Sequence, residues 1–243
     1  IDDFDQTKIL RDYITDQELY EKIVDRYESK KSNEDLFIMS ISMQNHGGYT
    51  EKYDNFDEKA RMLGINYPDV NQYLSLIHES DSALEYLISY FEKVDDPVEI
   101  VFFGDHQPSL SSSFYPYLNG KGLGGLTLSE LENLYTVPFF IWTNYDSGKE
   151  SVELTSLNYL STLALERAGI ALPAYNQFLA DMMEEIPAVN SRGFYSKSQG
   201  KFLHVEDAAG EDAKWLKNYE ILQYNNMFDK RNKSGLFFPY LKQ

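Results

Sequence analysis

Short apolar runs alternate with one long helical repeat in the first half of the chain. Residues 36–41 (Leu-Phe-Ile-Met-Ser-Ile) and 100–103 (Ile-Val-Phe-Phe) are almost unbroken apolar stretches bounded by polar and turn residues, the pattern of buried strands. Between them Tyr73, Leu76, Ile77, Leu84, Leu87, Ile88 and Phe91 recur at helical spacing. Pro68-Asp69 opens that helix and Asp95-Asp96-Pro97 closes it. The order strand, long helix, strand is that of a crossover unit, which predicts parallel strands covered on both faces. A third strand is predicted at 137–142, where Pro138 near its start marks an edge or a strand's first residues. The expected fold class is α/β, a mostly parallel sheet flanked by helices.

The other elements are read from caps and breaks. Residues 1–13 are acidic and aperiodic, and read as a lead-in loop. Thr15 and Glu18 fit a capping box, with Leu19, Ile23 and Tyr27 as the apolar face of the helix that follows and Lys30 and Lys31 at its end. Residues 109–128 are rich in Ser and Gly without phosphate-loop spacing, and read as a mobile loop. A helix over 155–168 ends at Gly169, and 172–190 shows a mixed pattern. A hairpin is expected over 193–205 around Ser198-Gln199-Gly200, and a helix over 212–228. A tail follows, whose Phe237, Phe238 and Tyr240 need a surface to pack on. The division expected is 1–190 as the main part and 191–243 as a small α+β extension.

Charge and composition narrow the functions. A formal net charge of −17 excludes non-specific nucleic-acid binding, which needs clustered Lys and Arg, and makes an anionic membrane surface a poor partner. An anionic substrate requires a bound cation to reverse the local field. The chain has no cysteine, so neither a thiolate nucleophile nor a thiolate metal site exists. It holds no apolar window long enough for a membrane span and no visible signal peptide. Opening at Ile1 in a polar stretch, it is expected to be part of something longer.

The chemistry concentrates at predicted strand ends. Asp105 and His106 follow the strand at 100–103, and His46 follows the one at 36–41 within Asn45-His46-Gly47-Gly48. Ligands in open α/β sheets gather outside the carboxyl ends of strands. An Asp-His pair there offers oxygen and imidazole nitrogen to a divalent ion; the alternative is a capped turn with a packed histidine. Topology places His46 on the same rim as that pair, as an expectation. His78, inside the long helix, and His204, on the hairpin, read as surface or structural residues. The serines at 109–113 lack a nucleophile elbow. Two metal ligands are too few for a catalytic ion, which normally has three or more from the protein.

Phe-Gly-Asp-His-Gln-Pro at 103–108, Ser-Met-Gln-Asn-His-Gly-Gly-Tyr at 42–49 and Val-Pro-Phe-Phe-Ile-Trp at 137–142 together resemble the sulfatase-like part of the alkaline phosphatase superfamily. The resemblance is closest to lipoteichoic acid synthase and related phosphoglycerol transferases, and covers roughly residues 1–190. It implies that Asp105 and His106 are metal ligands, with manganese the usual ion, held weakly or not at all by this fragment. It implies that His46 lies in the pocket for the phosphoglycerol or phosphate headgroup. The family's threonine nucleophile and a further glutamate ligand have no counterpart here and are expected upstream of Ile1. No catalytic nucleophile is therefore assigned within the chain.

On this resemblance the chain is the C-terminal half of a catalytic domain, inactive alone, whose partner is the missing N-terminal half. The parent is expected at the extracellular face of a bacterial membrane, anchored upstream. There it acts on a phosphoglycerol lipid or envelope polymer through a phosphothreonine-type intermediate. Sulfate-ester hydrolysis is a less favoured outcome for the parent. The rival reading is a non-catalytic envelope-binding module that keeps the fold.

Overall fold

The computed structural model describes residues 4–229 and Phe237. They form two compact units. One runs up to Val98 and takes in His106–Leu123; the other comprises Glu99–Asp105 and the chain from Gly124 onward.

The first unit begins with a tight antiparallel hairpin, β1 (Ile9–Leu10) and β2 (Tyr13–Ile14), where the sequence read a lead-in loop. Its two-residue turn is Arg11-Asp12. Helix α1 (Asp16–Glu28) follows directly. Thr15 caps it by accepting from the Glu18 N–H at 3.1 Å. Glu18 does not complete the capping box: its carboxylate takes the Asp5 N–H at 3.0 Å and the Lys8 ammonium at 2.9 Å. The face of α1 that is buried carries Tyr20 and Val24, not Leu19, Ile23 and Tyr27. α1 packs on α2 (Pro68–Phe91), the long predicted helix, with Pro68 at its first turn. Tyr27 stands edge-on to Phe91 at 5.1 Å.

Between the two helices the chain is irregular, and buried polar side chains of α2 meet its backbone groups. Ser75 accepts the N–H groups of Lys59 and Ala60, each at 3.0 Å. Asn71 accepts that of Met62, and Gln72 donates to the Glu51 carbonyl. This is why the polar positions of α2's buried face coexist with Leu76, Ala83 and Leu87 in one core.

The strand expected at 36–41 is not formed. Residues 36–43 run without a ladder partner, Phe37 90% exposed and Ile41 74%. Ile38 and Ile41 border an open groove beside Leu19 and Ile23. The apolar pattern is that of a strand, but no neighbouring strand among the described residues supplies the hydrogen bonds that would make it one. The predicted parallel crossover is thus replaced by three separate two-stranded antiparallel sheets among the described residues.

In the second unit β3 (Glu99–Phe103) pairs antiparallel with β4 (Phe139–Thr143), Val101 opposite Ile141, and Phe102 stacks on Phe140 at 5.2 Å. Pro138 sits just ahead of β4, where its missing N–H costs no ladder bond. The Ser/Gly-rich stretch is not a bare loop. It contains α3 (Phe114–Asn119), in the first unit, and α4 (Leu128–Glu132), in the second, the latter with a complete Thr127–Glu130 capping box.

Helix α5 (Leu160–Arg167) is shorter than predicted and ends at Gly169, φ 68°. The mixed stretch at 172–190 holds an unrecognised helix, α6 (Ala174–Glu185), whose Leu179 and Met182 are buried with Ile186. The expected hairpin is β5 (Gly193–Ser196) with β6 (Lys201–His204), and the final helix is α7 (Gly210–Met227). Phe194 and Tyr219 join Tyr159 and α6 in one core. Phe237 meets Tyr175 at 4.5 Å, while Phe238 and Tyr240 lie outside the described residues.

Candidate functional site

Asp105 and His106 follow two and three residues beyond the end of β3, after Gly104. The glycine is not there for a left-handed turn. A Cβ at that position would stand 3.1 Å from Val137 Cβ, so the close approach of the residues leading into β4 leaves a side chain tight there. Gly104 also donates its N–H to the Pro138 carbonyl at 3.1 Å, which continues the β3–β4 ladder to the edge of the site.

Asp105 and His106 are both exposed. His106 Nδ1 lies 2.8 Å from the Gln107 carbonyl oxygen. A carbonyl only accepts, so Nδ1 is the donor in this bond. A carboxylate and an imidazole are side-chain types that divalent cations take as ligands. Among the described residues no group of three or more His, Asp or Glu side chains gathers as a complete set of ligands.

His46 belongs to the first unit, in the turn that follows the extended stretch 36–43. Its N–H closes the turn on the Met43 carbonyl at 2.9 Å. The ring is exposed, with Nδ1 3.1 Å from the Tyr13 hydroxyl. Gly48, at φ 89°, supplies a left-handed backbone that no larger residue adopts without strain. On either side of His46 the loop is buried: Gln44 is 2% exposed and Tyr49 5%. Gln44 accepts the Asp16 N–H at 3.0 Å, and Asn45 donates to Ser80 at 2.8 Å. His46 is thus an exposed ring on an anchored loop.

Sequence reasoning missed the residue that anchors it most, Arg11. Its one legible signal was a lone arginine in an acidic lead-in. His78 and His204 are exposed on α2 and β6. The serines after Pro108 lead into α3; Ser111 donates its N–H to Asp69 at 2.6 Å, a structural contact.

The family model for Sulfatase matches residues 2–170, and the chain belongs to that family, within the alkaline phosphatase superfamily. It is 22% identical over 234 residues to a putative cyclic beta-1,2-glucan modification protein of Rhizobium meliloti, covering 93% of this chain and 36% of the relative. It is 35% identical over 105 residues to the capsular polysaccharide biosynthesis protein RkpI of the same organism, covering 43% of this chain and 18% of the relative. The fold is similar to that of the Streptococcus pyogenes phosphoglycerol transferase GacH in complex with sn-glycerol-1-phosphate, with TM-score 0.64 and 18% identity. That match covers 95% of this chain and 53% of GacH. The match spans about half the length of the solved structure and 36% and 18% of the two curated relatives. Among the described residues no helix is long and apolar enough to cross a membrane.

Proposed function

We propose that this chain is part of a metal-dependent enzyme of the cell envelope that transfers phosphoglycerol, or a similar phosphoryl group, to or from a glycan or polymer. The observation that carries the reading is the Asp105–His106 pair, a carboxylate and an imidazole adjacent in the chain just past β3 and both exposed. The family membership, the glycan-directed relatives and the likeness to a phosphoglycerol transferase support it.

In this reading Asp105 and His106 hold the divalent ion, manganese, together with ligands from chain outside these residues. Such an ion, when bound, neutralises charge on ester oxygens. His46 binds the phosphate or phosphoglycerol headgroup as a hydrogen-bond donor. The nucleophile comes from the remainder of the catalytic domain, so this chain alone is inactive. The extended apolar residues 36–41 are a strand of a larger, mostly parallel sheet completed by that remainder. The whole protein works on the outer side of the cytoplasmic membrane, where such polymers are built.

The test is turnover by the whole protein with manganese, using a phosphodiester of glycerol and an aryl sulfate in parallel. Release from the phosphodiester with little from the sulfate supports the reading. Preference for the sulfate makes the enzyme a sulfatase. Glycan binding without turnover of either makes it a binding module.

A further inference from the structure

Arg11 is the residue around which the His46 loop is built. It occupies the two-residue turn between β1 and β2 with φ 55°, a position that glycine or asparagine ordinarily fills. It is the only non-glycine residue with positive φ among the described residues. A bulky side chain held in a strained backbone points to a use for that side chain. Asn55 steadies the turn by donating to the Ile9 and Arg11 carbonyls at 3.2 and 3.0 Å.

Arg11 is 3% exposed. Nη1 donates to the Gly48 carbonyl at 3.3 Å and to Gln72 Oε1 at 3.1 Å; Nη2 donates to the carbonyls of Gln44, at 3.4 Å, and His46. All four acceptors are neutral, and they take up the four terminal N–H groups. No terminal N–H remains for a substrate anion, and the Nε–H is buried with no partner among the described residues, so the terminal fork is committed to holding the loop. Its planar fork reaches three carbonyls of one turn at once, which a lysine's single ammonium does not. The rings of Tyr49 and Tyr53 flank the cation at 5.5 and 5.6 Å.

We propose that Arg11 and Tyr13, from one hairpin, form the seat that positions His46. Arg11 fixes the loop backbone. The Tyr13 hydroxyl donates to Nδ1, so the neutral ring carries its proton on Nε2 and offers that N–H to an oxygen of an anionic ester. Both are positioning residues. The substrate role of His46 rests on the function proposed above; the seat itself does not.

The test is nitrogen NMR of ring-labelled histidine in the protein, above the pH at which imidazole titrates. The His46 signals are assigned by their loss in His46→Gln. We expect an Nε2-protonated ring in the unaltered protein. In Tyr13→Phe the His46 signals move toward a tautomer mixture while the other three histidines stay fixed. Arg11→Lys and Arg11→Gly shift or broaden His46 and the amides of 44–48. Arg11→Gly does so although it relieves the backbone. An Nδ1-protonated His46, or His46 signals unchanged in both Tyr13→Phe and Arg11→Lys, overturns the proposal. Tyr13→Phe, which removes one hydroxyl, decides the matter if the Arg11 variants do not fold. In the whole protein the same variants should lower kcat/KM, by as much as roughly 100-fold for a displaced binding group. Ring signals that move while His46→Gln leaves turnover intact retain the seat and reject the substrate role.

Discussion

Ser80 donates its hydroxyl to Asp16 Oδ2 at 2.5 Å, joining the middle of α2 to the first residue of α1. Gln44 donates to the same Ser80 oxygen at 3.1 Å and Asn45 at 2.8 Å. The loop that carries His46 is thereby tied into the helix junction by the two residues that precede it.

Burial pushes the Asp16 carboxyl above its ordinary 3.8, and the hydroxyls of Ser80 and Ser42 offset this only in part. Over the pH range between the unfolded and folded values, the folded chain holds a proton that the unfolded chain releases. Stability from this group is therefore complete below the ordinary value and falls as pH rises through the folded one. Asp16→Asn should raise the thermal midpoint at neutral pH, with the gain shrinking toward pH 3.8. A calorimetric pH series measures it.

Glu18, two residues on, has the opposite sign. Burial alone would raise its pKa, but the Asp5 N–H and the Lys8 ammonium outweigh it and hold the carboxyl below 4.5. Its contribution is present above that value and lost as pH falls through the folded pKa. Glu18→Gln should lower the midpoint at neutral pH and converge with the unaltered protein in acid.

Gly104→Ala places a methyl 3.1 Å from Val137 Cβ and 3.8 Å from Pro138 Cδ. Overpacking of this kind costs roughly 1–3 kcal/mol. Gly122→Ala meets nothing within 4 Å and should change stability by no more than about 0.5 kcal/mol. Urea unfolding of the two variants compares them.

Phe194 of β5 is fully buried with Leu179 and Met182 of α6. Phe194→Ala should cost roughly 3–5 kcal/mol. Protection of the α6 amides from hydrogen exchange should fall with it, because hairpin and helix share one core.

The long helix α2, the hairpin β5–β6 and the strand ends at 103 and 138 were legible because local pattern decides them: a helical repeat, a Ser-Gln-Gly turn, and a glycine or proline at the boundary. Helix α6 was also patterned, with Phe178, Leu179, Met182 and Met183 between Pro173 and Pro187, but the stretch 172–190 was read only as mixed. The error at 36–41 has another cause. A strand is defined by its neighbours, and no described strand pairs with the apolar run of Phe37 to Ile41, which stays exposed. Among the candidate residues, Asp105, His106 and His46 were visible as residue types in short motifs. Arg11 was not, because its role depends on carbonyls more than 30 positions away along the chain, and backbone acceptors leave no trace in a sequence.

The most direct test of the proposed chemistry is manganese-dependent phosphodiester turnover by the whole protein carrying Asp105→Ala, His106→Ala or His78→Ala. Loss of metal-dependent turnover in the first two, with near-normal turnover in the third, is the predicted result. Retained turnover in Asp105→Ala, or equal loss in all three, contradicts it.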